Sequence, residues 1–319
     1  MTKLFCTLGP SSLNRKFLIN LDERFVKLLR INLSHTEIKD LPKLVKYIRK
    51  YSKIDICFDT EGAQVRTSTL KGGTQKLTIN QEVFINKNNK HNENITLVPK
   101  DIYKKLKKGD MLSIDFNSVI VKIIKETADV FQCKVTQGGK IGSNKSISIN
   151  RSIKIPLFTN KDLDAFIIAQ KFNIKHFALS FTSCANDVKK LRSFFREKVT
   201  ITSKIESKKG LKNLKEILKE ADNILIDRGD LSKEVPIHEI PKKQKEIISI
   251  AKRQKVPVYV ATNLLESMVT SMEPTRAEVN DIYNTLIDGA SGLVLAAETA
   301  IGKYPDKCID MILKVSKTI

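Results

Sequence analysis

The sequence predicts an α/β barrel that is interrupted by a small inserted β domain. Two observations indicate this fold: eight short apolar runs recur along the chain, and helical patterns separate most of them. Such alternation is typical of parallel strands that are joined by crossover helices. A chain of 319 residues with 41% hydrophobic content is long enough for a barrel with an inserted module. We therefore expect a (β/α)8 TIM barrel over residues 1–67 and 154–319, with an all-β domain over 68–153.

Each predicted barrel strand is a short apolar run, and most of these runs are followed by polar residues. In chain order they are Leu4–Leu8, Phe25–Leu33, Ile54–Phe58, Phe177–Phe181, Val199–Ile205, Ile224–Ile226, Val256–Val260 and Leu293–Leu295. Leu211, Leu214 and Leu218 follow the i, i+3, i+7 spacing of one helix after the fifth strand. Capping-box patterns at Thr159–Asp162 and Thr275–Glu278 mark two further helix starts.

The strand and helix alternation stops between the third and fourth barrel strands. Short β-type runs at Lys76–Ile79, Met111–Ile114 and Val119–Ile123 fill this segment, with turns predicted at Gly72-Gly73 and Gly138-Gly139. Loops at the carboxyl ends of barrel strands carry function, so we expect the insertion to act as a lid over an active site. The chain ends one helix after the eighth strand, and no additional C-terminal domain is expected.

Composition narrows the class of protein. No apolar run approaches the roughly 18 to 20 residues that a membrane span needs, and we expect a cytoplasmic protein. The five cysteines are scattered without metal-ligand spacing, so neither a disulfide framework nor a zinc site is expected. The net charge of +21 favours a lysine-rich solvated surface, with a field for anionic substrates as an alternative. Nucleic-acid binding is not expected, because aromatic residues make up only 6% and tryptophan is absent.

The most informative stretch lies at the end of the fifth strand. Lys204 and Glu206 are two residues apart, so they point to the same side of the sheet. Such a pair can hold a metal ion and a phosphate together. The sixth strand likewise opens into the polar run Asp227–Asp230. Carboxylates from two different strands suit Mg²⁺, which prefers oxygen ligands and usually also takes substrate oxygens.

Polar residues follow the other predicted strands as well. Arg30, Asn32 and Ser34 share one face at the end of the second strand, and Asp59 and Thr60 follow the third. Any one of these could be a hydrogen-bonded strand end. Several at one barrel mouth predict a shared active site.

Six motifs, in the order in which they occur, resemble those of the pyruvate kinase family. They are Arg30-x-Asn32-x-Ser34-His35, Asp59-Thr60-x-Gly62-x-x-Val65-Arg66-Thr67, Ser203-Lys204-Ile205-Glu206, Arg228-Gly229-Asp230-Leu231, Pro274-Thr275-Arg276-Ala277-Glu278 and Glu298-Thr299-Ala300. The resemblance extends to the inserted segment, where Gly138-Gly139-x-x-Gly142-Ser143-x-Lys145 is similar to a nucleotide-contacting loop. It implies a phosphotransferase that moves phosphate from phosphoenolpyruvate to ADP, giving pyruvate and ATP.

The resemblance also implies a role for each matching residue. Lys204 would bridge the substrate and the phosphoryl group in transfer, with Arg30 on the phosphate. Glu206 and Asp230 would be the Mg²⁺ ligands. The substrate carboxylate would meet the backbone at Gly229 and Asp230 and the hydroxyl of the catalytic residue Thr262. The oxygen cage for K⁺ would consist of Asn32, Ser34, Asp59 and Thr60, and the nucleotide would be held by Asn32, Leu33, Ser34, His35, Arg66 and Lys145.

Three departures from the family pattern qualify these expectations. Ala296 stands where a serine hydroxyl helps to deliver a proton to the enolate, so phosphoryl transfer could survive while ketonisation slows. Asp227 stands where the family has alanine, and the extra carboxylate could alter metal affinity or the charge balance of the lysine. Gln64 occupies the position that settles dependence on K⁺, which is therefore left open.

Two alternatives to a compact pyruvate kinase follow from these departures. One is a phosphoenolpyruvate-binding enzyme of a specialised pathway with another acceptor. The other is a catalytically impaired sensor or basic interaction protein. The family's C-terminal effector domain is not expected here, and allosteric control by that route is not expected either. A homo-oligomer through the barrel is left open.

Overall fold

The computed structural model describes residues 2–21, 25–62, 64–87, 95–115, 118–151, 153 and 155–319. The chain forms two compact units. The first comprises Met1–Gly62 and Phe158–Ile319, and the second comprises Ala63–Leu157. Within the described residues, no helix combines the length and apolar character that crossing a membrane requires.

The strands of the described residues are short, and most have four to eight residues. In chain order they are β1 (Lys3–Thr7), β2 (Val26–Asn32), β3 (Asp55–Asp59), β4 (Val65–Thr67), β5 (Thr74–Leu77), β6 (Glu82–Asn86), β7 (Ile95–Val98), β8 (Met111–Ile114), β9 (Val119–Glu126), β10 (Val130–Gln137), β11 (Gly139–Gly142), β12 (Ser146–Ile149), β13 (His176–Leu179), β14 (Thr200–Ile205), β15 (Asn223–Asp227), β16 (Val258–Ala261) and β17 (Gly292–Leu295).

Most helices connect the strands of the first unit. The α-helices are α1 (Arg15–Asn20), α2 (Leu41–Tyr51), α3 (Asn160–Lys171), α4 (Ala185–Ser193), α5 (Lys208–Lys212), α6 (Leu214–Glu220), α7 (Arg228–Leu231), α8 (Ile240–Arg253), α9 (Arg276–Ile287), α10 (Ala297–Ala300) and α11 (Pro305–Ser316). Short 3-10 helices cover Leu33–His35, Ile38–Asp40, Lys100–Lys104, Ile237–Glu239 and Glu266–Val269.

The first unit contains a closed barrel of eight strands in the order β1-β17-β16-β15-β14-β13-β3-β2. Every neighbouring pair runs parallel. Each of the eight predicted strands coincides with one of these, so the predicted TIM barrel is confirmed. The two capping boxes are also present, at the starts of α3 and α9.

The barrel interior explains why polar side chains gather at one end. A cluster of buried apolar residues fills the centre, including Phe5, Leu28, Cys57, Ala178, Leu225 and Val294. Side chains of a strand repeat with a period of two, so the residue two positions later faces the same way. Five of those residues are polar, namely Thr7, Arg30, Asp59, Ser180 and Asp227, and the sixth is Ala296. A polar layer therefore lies directly beyond the apolar layer, towards the carboxyl ends of the strands.

One helix prediction was wrong, because a single helix was expected where two are present. The leucines at 211, 214 and 218 do not lie on a single helix, because α5 ends at Lys212 and α6 begins at Leu214. Asn213 separates the two, and its side-chain amide donates a hydrogen bond to the Ser183 carbonyl at 2.7 Å. This contact with a distant loop was not visible in the local spacing.

The second unit is the all-β domain that interrupts the barrel after β3, as predicted. Its strands form a second closed barrel in the order β10-β6-β7-β4-β12-β8-β9, and β5 and β11 form a separate pair. The glycine pair at 138 and 139 is not a turn, because only Gly138 separates β10 from β11. A Cβ atom on Gly139 would lie 2.1 Å from the Ser118 carbonyl oxygen, so close backbone approach explains the glycine.

Candidate active site

Lys204 occupies the middle of the polar layer in the first unit. It lies near the end of β14 and is 5% exposed. Its Nζ atom lies 2.9 Å from Glu206 Oε1, 3.5 Å from Asp59 Oδ1 and 3.6 Å from Asp227 Oδ2. Burial lowers the pKa of this ammonium group, but the three carboxylates raise it more, so the pKa of Lys204 is raised and the side chain stays charged.

Glu206 directly follows β14 and is 1% exposed. The Phe181 amide donates a hydrogen bond to its Oε2 atom at 2.5 Å. Burial raises the pKa of Glu206 well above its ordinary value, and the charge of Lys204 offsets this only in part because Asp230 and Asp227 repel the carboxylate. The carboxylate therefore needs a positive partner to remain ionised.

The end of β15 contributes two more carboxylates. Asp227 caps the short helix α7, and its Oδ1 accepts a hydrogen bond from the Asp230 amide at 3.4 Å. Asp230 forms a short ion pair with Lys233. Burial raises the pKa of Asp230, but Lys233 and Lys204 lower it more, so the net pKa is lowered. One carboxylate oxygen from each of Glu206, Asp227 and Asp230 lies within 4.8 Å of the others.

Arg30 reaches the same layer from β2. Its Nε donates a hydrogen bond to Asp59 Oδ2 at 2.7 Å, and its Nη2 also contacts that oxygen. Its Nη1 donates to the Thr7 hydroxyl at 2.7 Å. The Ser180 hydroxyl oxygen lies 3.3 Å from Asp59 Oδ1 and accepts a hydrogen bond from Lys204 Nζ at 3.2 Å. Arg30 and Lys204 are therefore linked through one hydrogen-bonded network.

Thr262 follows β16 in a backbone conformation that is rare for a β-branched residue, with a φ of 73°. Its hydroxyl accepts a hydrogen bond from the Gly229 amide at 2.8 Å. Arg228 fixes the same loop from the other side, because its guanidinium donates to the Thr262 carbonyl. Such strain is a feature of binding and catalytic sites. The predicted residues Gly229, Asp230 and Thr262 are thus brought together.

The predicted K⁺ ligands lie at the ends of two adjacent strands, where Asn32 of β2 is paired in register with Asp59 of β3. The Asn32 side-chain oxygen accepts a hydrogen bond from the Ser34 amide at 2.9 Å. The Thr60 carbonyl accepts one from the Ser180 hydroxyl at 2.7 Å. The donor set consists of oxygen atoms, which fits a hard monovalent cation.

The predicted nucleotide residues are divided between the two units. Leu33 and His35 lie in the 3-10 helix after β2, and the Leu33 side chain is fully buried. Arg66 and Lys145 lie in the second unit. There Arg66 donates to the Asn144 carbonyl at 3.2 Å, and Lys145 forms an ion pair with Asp115 at 3.0 Å.

The cluster of Glu206, Asp227 and Asp230 fits a divalent cation. Its donor atoms are carboxylate oxygens, which Mg²⁺ prefers. The buried Glu206 Oε1 forms an ion pair with Lys204 Nζ at 2.9 Å, and a carboxylate oxygen keeps a second lone pair for a further ligand.

Sequence reasoning missed several partners in this network. Ser180 is not among the predicted site residues, although its two-residue offset from the buried Ala178 places it in the polar layer. Thr7 could have been found by the same offset from Phe5. Lys233 follows Asp230 by three residues, but that spacing alone gave no reason to select it.

The chain is similar to known proteins along almost its whole length. The chain matches a family model described as pyruvate kinase, barrel domain, over residues 1–309. It is 34% identical to the pyruvate kinase of Thermotoga maritima, covering 99% of this chain and 70% of that protein. The pyruvate kinase of Methanocaldococcus jannaschii is also 34% identical, over 99% of this chain and 69% of its own length. A crystal structure of a pyruvate kinase from Cryptosporidium parvum matches with a TM-score of 0.86 and 31% identity, covering 98% of this chain and 68% of that one.

Proposed function

Because this chain belongs to the pyruvate kinase family, we propose that it transfers the phosphoryl group of phosphoenolpyruvate to ADP, giving pyruvate and ATP. The observation that carries the proposal is the position of Lys204. A buried ammonium group lies between carboxylates at the ends of three different strands, and its ion-pair partners keep its pKa raised. A fixed positive charge of this kind is suited to a reaction that moves a phosphoryl group.

Phosphoryl transfer requires positive charge on the oxygens of the group in transfer. An oxygen of ADP attacks phosphorus while the bond from phosphorus to the enol oxygen breaks, which leaves the enolate of pyruvate. Lys204 offsets the charge on the phosphoryl oxygens and on the departing enol oxygen. Arg30, held by Asp59 and Thr7, binds the phosphate in a fixed orientation, which lowers the entropic cost of reaching the transition state.

The substrate carboxylate is assigned to the loop after β15. There the Gly229 amide donates a hydrogen bond to the Thr262 hydroxyl at 2.8 Å, and the Asp230 amide donates one to Asp227 Oδ1 at 3.4 Å. The Thr262 hydroxyl itself donates to the Ala261 carbonyl. The assignment requires these three donors to exchange their present acceptors for the substrate carboxylate, which they would then hold close to Lys204.

Two cations are assigned to the site. Glu206 and Asp230 would hold Mg²⁺, which supplies further charge neutralisation to the phosphoryl oxygens when it is bound. Asn32, Ser34, Asp59 and Thr60 would hold K⁺. The predicted nucleotide contacts at Asn32, Leu33, Ser34 and His35, and at Arg66 and Lys145, remain predictions.

The direct test is an assay of ADP-dependent pyruvate formation, coupled to lactate dehydrogenase, with Mg²⁺ and with or without K⁺. We expect activity in the wild type and a loss of at least about 10²-fold for Lys204→Ala, the typical effect of removing one charge-stabilising donor. Lys175→Ala is the matched control, because Lys175 forms an exposed ion pair with Glu197. Equal inactivity of the wild type and Lys204→Ala, with phosphoenolpyruvate still bound, would remove the basis for the kinase assignment.

A further inference from the structure

Asp227 is a buried carboxylate to which the proposed reaction assigns neither the substrate nor a cation. It ends β15, is 6% exposed, and follows the buried Leu225 of the barrel interior by two residues. It therefore faces the same way as Leu225, into the barrel mouth. The family motif has a methyl group at this position, so the site of this chain holds one carboxylate more.

The contacts that Asp227 makes are long. Its Oδ2 atom lies 3.6 Å from Lys204 Nζ, whereas Glu206 Oε1 lies 2.9 Å from the same nitrogen. Its Oδ1 accepts a hydrogen bond from the Asp230 amide at 3.4 Å. An ionised carboxylate has about four acceptor positions, and contacts of this length use them weakly. Asp227 therefore retains oxygen lone pairs for another ligand.

A second observation indicates where that ligand would lie. The Phe181 amide fixes Oε2 of Glu206 at 2.5 Å, and the other oxygen, Oε1, is buried. Oε1 forms an ion pair with Lys204 Nζ at 2.9 Å and keeps a lone pair for a further ligand. Oxygens of Glu206, Asp227 and Asp230 all lie within 4.8 Å of one another. Oxygens of three carboxylates are thus gathered around the Lys204 ammonium group.

The local charge favours a cation. Three cationic side chains and four carboxylates are linked in the network, which gives a formal charge of −1; they are Arg30, Lys204 and Lys233, and Asp59, Glu206, Asp227 and Asp230. An alanine at position 227 would make the same network neutral. Asp227 thus supplies the charge that makes the network attract a cation when no substrate is present.

We propose that Asp227 is a third carboxylate ligand of the divalent cation, beside Glu206 and Asp230. The inference rests on the proposed function, because it concerns the same cation. With two protein carboxylates, Mg²⁺ depends on substrate oxygens to complete its ligand set. With three, the protein binds the cation before the substrate arrives, because affinity of such oxygen sites rises with the number of charged ligands.

The experiment measures cation binding without any substrate. The purified full chain, freed of metal by EDTA and dialysis, is titrated with Mn²⁺, and free Mn²⁺ is followed by electron paramagnetic resonance. Wild type is compared with Asp227→Ala, which restores the family residue, and with Asp227→Asn, which keeps the shape. Glu206→Gln removes a ligand that the proposed function already requires. Glu197→Gln is the control for net charge, because it also removes one negative charge. The Glu197 side chain is exposed, and the residue lies just before the amino end of β14.

We expect the wild type and Glu197→Gln to bind Mn²⁺ with the same Kd. Asp227→Ala and Asp227→Asn should bind at least about tenfold more weakly, since even the outer partners of metal ligands contribute roughly 10- to 100-fold. The Asn variant decides the matter if the Ala variant unfolds.

The outcomes separate this inference from the proposed function. If both Asp227 variants bind as tightly as the wild type while Glu206→Gln does not, the third ligand is refuted and the function stands. Absence of Mn²⁺ binding to the substrate-free wild type also refutes it. Unchanged binding by Glu206→Gln would refute the third ligand together with the assignment of Glu206 to Mg²⁺, whereas the kinase activity is decided by the pyruvate assay.

Discussion

Replacing Lys204 should destabilise the protein as well as inactivate it. The ammonium group is 5% exposed and lies 2.9 to 3.6 Å from three buried carboxylates. At an effective dielectric constant of about 20, each attraction at these distances is worth about 5 kcal/mol before desolvation is subtracted. Removing one partner of a buried ion pair costs about 3–5 kcal/mol, because the remaining charge is left uncompensated. We therefore expect Lys204→Ala to lower the free energy of unfolding by that amount.

The measurement is urea-induced unfolding in the presence of EDTA, so that no divalent cation replaces the missing charge. Far-UV circular dichroism and tyrosine fluorescence should be followed together, because the chain has two compact units and a single transition has to be demonstrated. Lys204→Met is the companion variant, since it fills the space without the charge. Lys175→Ala, which breaks an exposed pair of 3.2 Å, should change stability by less than about 1 kcal/mol.

The two companion variants separate charge from packing. If the carboxylates need the ammonium group, Lys204→Met should lose about as much stability as Lys204→Ala. A Met variant as stable as the wild type would refute the reasoning, because it would show that Glu206, Asp227 and Asp59 need no cation between them. Glu206 already has a raised pKa, so it should take up a proton in these variants and limit the loss at low pH.

Three further predictions concern the delivery of a proton to the enolate, the cap of helix α9 and the closure of the barrel. Ala296→Ser should accelerate exchange of pyruvate methyl hydrogens in D₂O, measured by ¹H NMR, by roughly tenfold or more, because a positioned proton donor contributes about 10²–10⁴-fold. Glu278→Gln should cost about 1 kcal/mol in urea unfolding, which is the typical net contribution of a hydrogen bond. Burial raises the pKa of Glu278, but hydrogen bonds from Ser267 and Thr275 lower it more, so its contribution is complete above the ordinary value of 4.5 and disappears as pH falls through the lowered pKa. Gly292→Ala should cost about 1–3 kcal/mol in the same assay, because its Cβ atom would lie 2.0 Å from the carbonyl oxygen of the paired strand β1.

Each of these three predictions would be contradicted by a specific result. An unchanged exchange rate for Ala296→Ser would mean that the missing hydroxyl does not limit ketonisation. A stability difference between Glu278→Gln and wild type that does not shrink as the pH is lowered below 4.5 would mean that the hydrogen bonds do not favour the charged form of this carboxyl group. Normal stability of Gly292→Ala would mean that β1 and β17 can separate without cost.

Most of the site could be predicted because the period of a strand is fixed. Arg30 follows the buried Leu28 by two residues, and Asp59 follows Cys57 in the same way. The carboxyl ends of parallel strands meet at one end of a barrel. Local sequence therefore determined both the side from which these residues enter the site and the end at which they meet.

Contacts between distant loops could not be predicted in this way. The split between α5 and α6 depends on the Asn213 side chain reaching the Ser183 carbonyl. The orientation of Glu206 depends on the amide of Phe181, whose φ of 53° turns the backbone after β13. The local sequence around Asn213 and around Phe181 does not differ from that of an ordinary loop. Their roles follow only from which segments the closed barrel brings together.

The departure at Asp227 shows why a local change in charge outweighs the large net charge of the chain. Of the +21 total, much belongs to exposed lysines such as Lys189 and Lys245, whose side chains are 60% and 63% exposed. Salt screens such charges beyond about 8 Å under physiological conditions, whereas buried pairs are screened much less. The potential that an anionic substrate meets is therefore set by the few buried groups around Lys204. A carboxylate added among them repels an anion directly, and only a cation bound nearby reverses that effect. Substrate affinity should therefore depend more steeply on the concentration of the divalent cation with Asp227 than with an alanine at this position.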